Sequence, residues 1–197
     1  MHIRPARPED YQNATALLFQ SGERLLTEIF GNGDEAQTCR YLQFAWQQGS
    51  GQYGFENHWV AEIDDKLVGL LTCWHDELPA DFDRATLSSI TDFFGLDQSI
   101  DVVMRSQRFS AALHPPMATE LGVGHLAVAE EARRQGVGRA LMACADEQAR
   151  LRGKFAVVLD VASENHSAIA FYRALGFGEQ QGDTPFIQMI RAVPPAK

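Results

Sequence analysis

The chain alternates short apolar runs, which predict β-strands, with longer segments of helical periodicity. Six to seven strands are predicted, over residues 1–5, 58–63, 67–74, 120–128, 155–161, 177–181 and 185–191. Helices are predicted over residues 8–19, 23–30, 34–49, 83–94, 97–112, 136–152 and 165–176. Turn residues at Asp64 and Asp65, and at Gly182 and Asp183, predict two hairpins. The pattern predicts an α/β (α+β) fold with a mixed, mostly antiparallel sheet and helices on both faces.

Length and composition are those of one globular domain. The chain has 197 residues, 45% of them hydrophobic, so we expect a single domain over residues 1–197. The first residues lack the apolar core of a signal peptide, and no segment is long enough to span a membrane. A cytoplasmic protein without a membrane partner is therefore expected. The three cysteines lack metal-type spacing, which predicts reduced thiols and no metal site.

The charge distribution argues against some classes of binding partner and favours others. The net charge of −9 argues against a nucleic-acid partner, whose binding depends on clustered Lys and Arg. Seven acidic residues crowd the stretch from Asp76 to Asp101, where they form either a solvated helix face or a rim that attracts a cationic amine. The basic cluster of Arg133, Arg134 and Arg139 is local and fits a small phosphate ligand.

A glycine-bearing turn between a predicted strand and a predicted helix carries this basic cluster. Its sequence is Arg133-Arg134-Gln135-Gly136-Val137-Gly138-Arg139. Such a turn presents several backbone N–H groups to a phosphate, and the helix dipole adds partial positive charge. The dinucleotide fingerprint would need a third glycine, and a nucleoside-triphosphate loop would need Gly-Lys-Ser/Thr. Neither pattern is present, so the turn is neither of these two nucleotide sites, and a lone glycine pair before a helix is usually only a turn.

A second segment supplies the other half of a family signature. Residues 159–177 run from an apolar strand through Asn165 into a helix with Ala168, Phe171 and Tyr172, and end at Gly176-Phe177. Together with the Arg/Gln-x-x-Gly-x-Gly turn, this segment resembles the GCN5-related N-acetyltransferase (GNAT) superfamily. The resemblance covers residues 115–191 closely and the N-terminal part in outline. It implies the GNAT fold, in which the fourth and fifth strands splay apart and leave a cleft.

The resemblance also implies acetyl-CoA as cosubstrate and an amine as acceptor. The expected pyrophosphate site consists of Arg133, Arg134, Gln135, Gly136, Val137, Gly138 and Arg139. The backbone of Leu126, Ala127 and Val128 is expected to pair with the pantetheine arm as a further strand would. Asn165 occupies the family position that contacts pantetheine or the local backbone, and it also suits a helix N-cap.

Tyr172 is the candidate general acid, because it matches the family tyrosine whose hydroxyl points at the cofactor sulfur. Its alternative is a core aromatic on an apolar helix face. Glu120, at the start of the fourth strand, is the candidate general base. The usual family position for that carboxylate falls nearer Gly122 and Gly124, so Glu120 acts through water or not at all. His125 is a substitute only if a β-bulge turns it to the face of Glu120.

Residues 76–117 depart from the family pattern, since typical members join the third and fourth strands by a short loop. Here two helices are predicted, followed by His114-Pro115-Pro116. The insertion either shapes the acceptor pocket or serves another purpose, such as forming a homodimer. The expected function is acetyl transfer to a primary amine of a small molecule or peptide, by direct attack in a ternary complex. A non-catalytic acyl-CoA sensor or subunit is the alternative.

Overall fold

The structure, a computed structural model, describes residues 1–180 and 185–195. Its strands are β1 (His2–Pro5), β2 (His58–Ile63), β3 (Lys66–Trp74), β4 (Glu120–Val128), β5 (Ala156–Ala162), β6 (Gly178–Glu179) and β7 (Phe186–Ala192). They form one sheet in the order β1-β2-β3-β4-β5-β7-β6. Neighbours pair antiparallel except β4 and β5, which are parallel. The predicted mixed, mostly antiparallel sheet is confirmed.

Helices cover both faces of this sheet, as predicted. They are α1 (Tyr11–Ser21), α2 (Glu23–Leu26), α3 (Glu35–Gln47), α4 (Phe82–Ser110), α5 (Val137–Leu151) and α6 (His166–Ala174). Helices α1, α3 and α4 contribute to one apolar cluster, centred on residues such as Leu18 and Trp46. Helices α5 and α6 contribute to the other, with Leu141 and Tyr172. We call these two sides of the sheet the α1 face and the α5 face.

Local residue chemistry sets several element boundaries at the predicted places. The side chain of Asp34 caps α3 by accepting a hydrogen bond from the backbone N–H of Gln37 at 3.0 Å. Asp64 and Asp65 form the β2–β3 turn with φ of 49° and 60°, the left-handed pair that suits a tight hairpin. The other predicted turn, at Gly182-Asp183, lies outside the described residues.

The insertion folds back onto the N-terminal helices. Helix α4 is interrupted at Gly95, where φ is 77°, so it consists of two helical halves as predicted. Ser89 lies 3.1 Å from the hydroxyl of Tyr41 in α3, and the guanidinium of Arg105 donates to the carbonyl of Ile29 at 2.8 Å. These contacts make α4 part of the α1 face. All seven acidic residues between 76 and 101 are exposed to solvent.

A bulge in β4 changes which side chains share a face. Thr72 of β3 pairs with His125, but the next residue, Cys73, pairs with Val123, so Gly124 has no partner on β3. Before the bulge Val123 belongs to the α5 face, and after it Leu126 does. Simple alternation along residues 120–128 would place Leu126 on the same face as Glu120, but the bulge places it on the opposite face. His125 instead points to the α1 face, as a bulge would require.

Candidate functional site

The turn between β4 and α5 carries a run of unpaired backbone donors. Within residues 1–180 and 185–195, the six N–H groups from Arg134 to Arg139 donate no hydrogen bond. Arg134 and Gly136 have φ of 62° and 84°, which lets the chain reverse sharply before the helix begins. Val137 starts α5, so its first turn adds the positive end of the helix dipole. The arrangement is suited to hold an anion.

Positive side chains surround these donors. Arg133, Arg134 and Arg139 are exposed, and none forms an ion pair with the described part of the chain. The Arg133 side chain reaches back to the carbonyl of Val128 at 3.3 Å, and the Gln135 amide donates to the carbonyl of Glu131 at 2.9 Å. Three uncompensated guanidinium groups therefore lie beside six free amides, although the protein as a whole is acidic.

The two glycines of the turn have different roles. A Cβ on Gly136 would meet nothing within 4 Å, so this position is open toward solvent. A Cβ on Gly138 would lie only 3.0 Å from the ring of Phe171 in α6. Gly138 is therefore required for close packing of α5 against α6, whereas Gly136 faces the space that an anion would occupy.

The two parallel strands, β4 and β5, separate after a short paired stretch. Their last paired residues are Val123 and Leu159, and no further β4–β5 pair follows in the described residues. Leu126, Ala127 and Val128 pair with β3 on one side only, which leaves their other edge open in the cleft. An extended chain could add to this edge as an extra strand. The cleft and the unpaired turn are thus continuous along β4.

Helix α6 lines the other side of the cleft. Asn165 caps it by accepting a hydrogen bond from the N–H of Ala168 at 3.1 Å, which confirms the N-cap interpretation. Tyr172 is 8% exposed, and its ring contacts those of Phe171 and Phe177. Burial raises the pKa of Tyr172, so its hydroxyl stays protonated at neutral pH. That hydroxyl has no hydrogen bond within residues 1–180 and 185–195, yet it is not enclosed.

The two candidate bases, Glu120 and His125, lie in different parts of β4. Glu120 is 5% exposed, lies where β4 and β5 are still paired, and accepts a hydrogen bond from the N–H of Met117 at 2.9 Å. His125 lies beyond the point of separation, with Nδ1 2.8 Å from the hydroxyl of Ser21 at the end of α1. Burial lowers the pKa of His125 to about 4. The role of Glu120 as a base stays a prediction.

Side chains from outside β4 lie close to its two glycines. A Cβ on Gly124 would overlap the indole of Trp74, and a Cβ on Gly122 would lie 3.1 Å from the Pro116 ring. Trp74 in turn makes an edge contact with Phe82, the first residue of α4, at 5.9 Å between ring centres. The insertion and its return loop therefore form a roof over β4 on the α1 face.

Sequence analysis did not identify one polar group that contacts this roof, the carboxylate of Asp160. Asp160 of β5 accepts hydrogen bonds from the backbone N–H of His114 at 2.9 Å and from its Nδ1 at 3.0 Å. Its side chain is 12% exposed, and it is the first β5 residue beyond the last β4 partner. The available signal was its charge, since Asp160 is the one ionisable residue in the apolar strand 155–161.

Candidate metal-ligand clusters and membrane-spanning helices are both absent from the described residues. No group of three or more His, Cys, Asp or Glu side chains there could hold a metal ion. The three cysteines, Cys39, Cys73 and Cys144, are free thiols. Across residues 1–180 and 185–195 no helix combines the length and apolar character that crossing a bilayer requires.

Solved structures place this architecture among the N-acetyltransferases. The N-acetyltransferase of Staphylococcus aureus Mu50 superposes with a TM-score of 0.71 at 16% identity, covering 97% of this chain and 100% of that one. The PaiA N-acetyltransferase of Thermoplasma acidophilum, solved in complex with coenzyme A, superposes with a TM-score of 0.53 at 14% identity, covering 97% and 98%. At such identities the likeness shows the fold alone.

Sequence comparison identifies the family. A family model described as Acetyltransferase (GNAT) family matches residues 20–177, so the chain belongs to that family. N-acetyltransferase 8 of Homo sapiens is 30% identical over 135 residues, which are 68% of this chain and 44% of that protein. N-acetyltransferase family 8 member 3 of Mus musculus is 27% identical over 128 residues, 62% of this chain and 54% of the relative. The chain spans about half the length of the curated relatives it matches.

Proposed function

We propose that the protein transfers an acetyl group from acetyl-CoA to a primary amine, in a ternary complex in which the amine attacks directly. The observation that carries this proposal is the run of six unpaired amides from Arg134 to Arg139. It lies beside three unpaired arginines and leads directly into the cleft between β4 and β5. A diphosphate is the ligand chemistry that such a site fits best.

The residues along the cleft fit the rest of the donor. Leu126, Ala127 and Val128 offer an open strand edge to the amide-bearing pantetheine arm. Asn165 begins the helix on the opposite side, and that helix carries Tyr172. The donor supplies an activated acetyl group as a thioester. The protein therefore has to position the two reactants and move protons.

Tyr172 is proposed to stabilise the leaving sulfur. Its hydroxyl is free of other hydrogen bonds in the described residues and is kept protonated by burial. A phenol with a raised pKa is a poor proton donor to a thiolate, whose conjugate thiol has a pKa of about 8.5. Tyr172 is thus better suited to donate a hydrogen bond to the developing thiolate than to transfer its proton completely.

The acceptor is proposed to be a small molecule or peptide amine that enters from the α1 face. Support comes from the roof formed by Trp74, Phe82 and Pro116, which borders β4 on that face. The exposed acidic residues Asp81 and Asp83 flank Phe82 in sequence and would favour a cationic amine.

Donor binding is tested by two variants of one position. Gly136→Asp places a carboxylate beside the proposed diphosphate, whereas Gly136→Asn adds a side chain of the same shape without charge. Both residue types tolerate positive φ. At a separation of about 6 Å, repulsion of roughly 1–3 kcal/mol should weaken binding 10- to 100-fold in Gly136→Asp. Titration calorimetry with coenzyme A measures both constants, and equal affinities would refute this placement of the diphosphate.

Turnover is tested with acetyl-CoA and an amine panel by following release of free thiol. The panel contains a polyamine, an aromatic ethylamine, an amino sugar and a short peptide with a free N-terminus. Release that depends on any one amine supports catalysis. Tight coenzyme A binding without turnover across the panel would instead support the non-catalytic sensor or subunit.

A further inference from the structure

The return loop of the insertion crosses the sheet at the apex of the cleft. Pro116 covers Gly122, whose β5 partner is Val158. His114, two residues earlier in the loop, is fixed to Asp160, two residues further along β5. The loop thus spans both strands on the α1 face, where they begin to separate. The imidazole of His114 is therefore held on the α1 face, beside the point where β4 and β5 separate.

The pair His114 and Asp160 has the chemistry of an oriented base. One oxygen of Asp160 accepts from the backbone of His114, and the other is 3.0 Å from Nδ1. A carboxylate partner places the imidazole proton on Nδ1, which leaves the lone pair on Nε2. Nε2 makes no hydrogen bond in residues 1–180 and 185–195, and it is not enclosed. Nε2 is therefore available to accept a proton.

We propose that His114, oriented by Asp160, is the general base that takes the proton from the attacking amine. This inference rests on the proposed function. The amine nitrogen bonds to the acetyl carbon, the carbon–sulfur bond breaks, and the sulfur leaves with the bonding electrons. The N–H proton passes to Nε2 and then to solvent. The sulfur gains a proton from solvent while Tyr172 donates a hydrogen bond to it.

The two other candidate bases are less well placed. The Glu120 carboxylate is buried beside the backbone of Met117, in the part of the sheet where β4 and β5 are still paired. The Ser21 hydroxyl donates to the carbonyl of Leu18 at 2.6 Å, so its oxygen accepts the Nδ1 proton of His125. His125 thus also has a free Nε2, but burial lowers its pKa to about 4, which makes it a weak base.

An affinity label tests this inference without knowledge of the acceptor. Bromoacetyl-CoA carries an alkylating carbon next to the thioester carbonyl. Displacement of bromide by the Nε2 lone pair would attach the label to His114. We expect peptide mapping to find the label on His114, with a rate that saturates with reagent and is suppressed by coenzyme A. Coenzyme A binding with the label on His125, or with no label on any histidine, would overturn the assignment.

Matched variants distinguish the proposed base, His114, from the residue proposed to position it, Asp160. His114→Gln should abolish labelling at that position and lower kcat about 100-fold for any amine that reacts, with unchanged coenzyme A affinity. His125→Gln is the comparison, and an equal loss there would refute the assignment to His114. Asp160→Asn keeps an oxygen acceptor for Nδ1, so it should retain more labelling than Asp160→Ala. Equal labelling in both would contradict a positioning role for Asp160.

Coenzyme A binding distinguishes failure of the proposed function from failure of the assignment of His114 as the base. If calorimetry detects no coenzyme A binding to the wild-type protein, the donor site itself is wrong and this inference fails with it. If coenzyme A binds but His114 is not labelled, only the base is wrong. Because labelling needs no acceptor, it decides the question even when no amine in the panel reacts.

Discussion

Two histidines with lowered pKa values, His58 and His125, should make the protein sensitive to mild acid. His58 is 1% exposed, stacks on Trp46 at 4.9 Å between ring centres, and has Nδ1 2.7 Å from the hydroxyl of Thr72. Its Nε2 is buried without a hydrogen-bond partner in residues 1–180 and 185–195. Burial lowers the pKa of His58 to about 3, with a smaller contribution from His125, whose own pKa falls to about 4. Both histidines are therefore neutral in the folded protein at pH 5.

The magnitude follows from the difference in proton binding between the folded and unfolded states. An unfolded histidine has a pKa of about 6.5, so at pH 5 it is protonated about thirtyfold over neutral. The folded form lacks that proton, which costs roughly 2 kcal/mol for each histidine. Since both folded pKa values are depressed, the stability is fully present above about pH 6.5 and is lost as pH falls toward 4. The two together should lower the free energy of unfolding by about 4 kcal/mol between pH 8 and pH 5.

Urea denaturation at pH 8 and pH 5 measures this loss. The double variant His58→Phe with Thr72→Val removes both partners and keeps an aromatic ring against Trp46. We expect it to lose about 2 kcal/mol less stability than the wild type between the two pH values. His166→Phe, at the exposed start of α6, is the matched control for loss of a histidine. If the double variant shows the same acid loss as the wild type, His58 is not the group that carries this effect.

Three further substitutions test other parts of the structure. Gly124→Ala should lower the unfolding free energy by about 2–3 kcal/mol in urea titrations, because its Cβ overlaps the Trp74 indole. Arg4→Met should cost about 3 kcal/mol by the same measurement, since it leaves the carboxylates of Asp10 and Glu62 unpaired around a 9% exposed residue. Tyr172→Phe should lower kcat at least tenfold while coenzyme A affinity measured by calorimetry stays unchanged; unchanged kcat would contradict its proposed role.

Local sequence signals predicted the elements that frame the site. The bounds of β4 were predicted as residues 120–128, and the structure has the same bounds. The cap at Asp34, the turn at Asp64 and Asp65, and the cap at Asn165 also lie where the sequence indicates. Each of these features depends on residues within a few positions of one another, so that propensity and side-chain chemistry suffice to define them.

The arrangement of side chains in the cleft could not be predicted in the same way. One unpaired residue at Gly124 reverses the alternation of β4, and the sequence alone does not show whether the bulge is present. The contact between His114 and Asp160 joins residues 46 positions apart. It depends on the path of the insertion across the sheet, which no local pattern encodes. For this reason sequence analysis proposed Glu120 as the general base and did not identify Asp160.

The insertion and the two β4 glycines are best understood as one structural feature. A short loop between β3 and β4 would carry neither Phe82, which supports Trp74, nor Pro116, which covers Gly122. A side chain at position 124 would overlap the Trp74 indole, and one at position 122 would press against the Pro116 ring. A carboxylate at either glycine would therefore meet Trp74 or Pro116, which agrees with the proposal that the base, His114, lies outside β4.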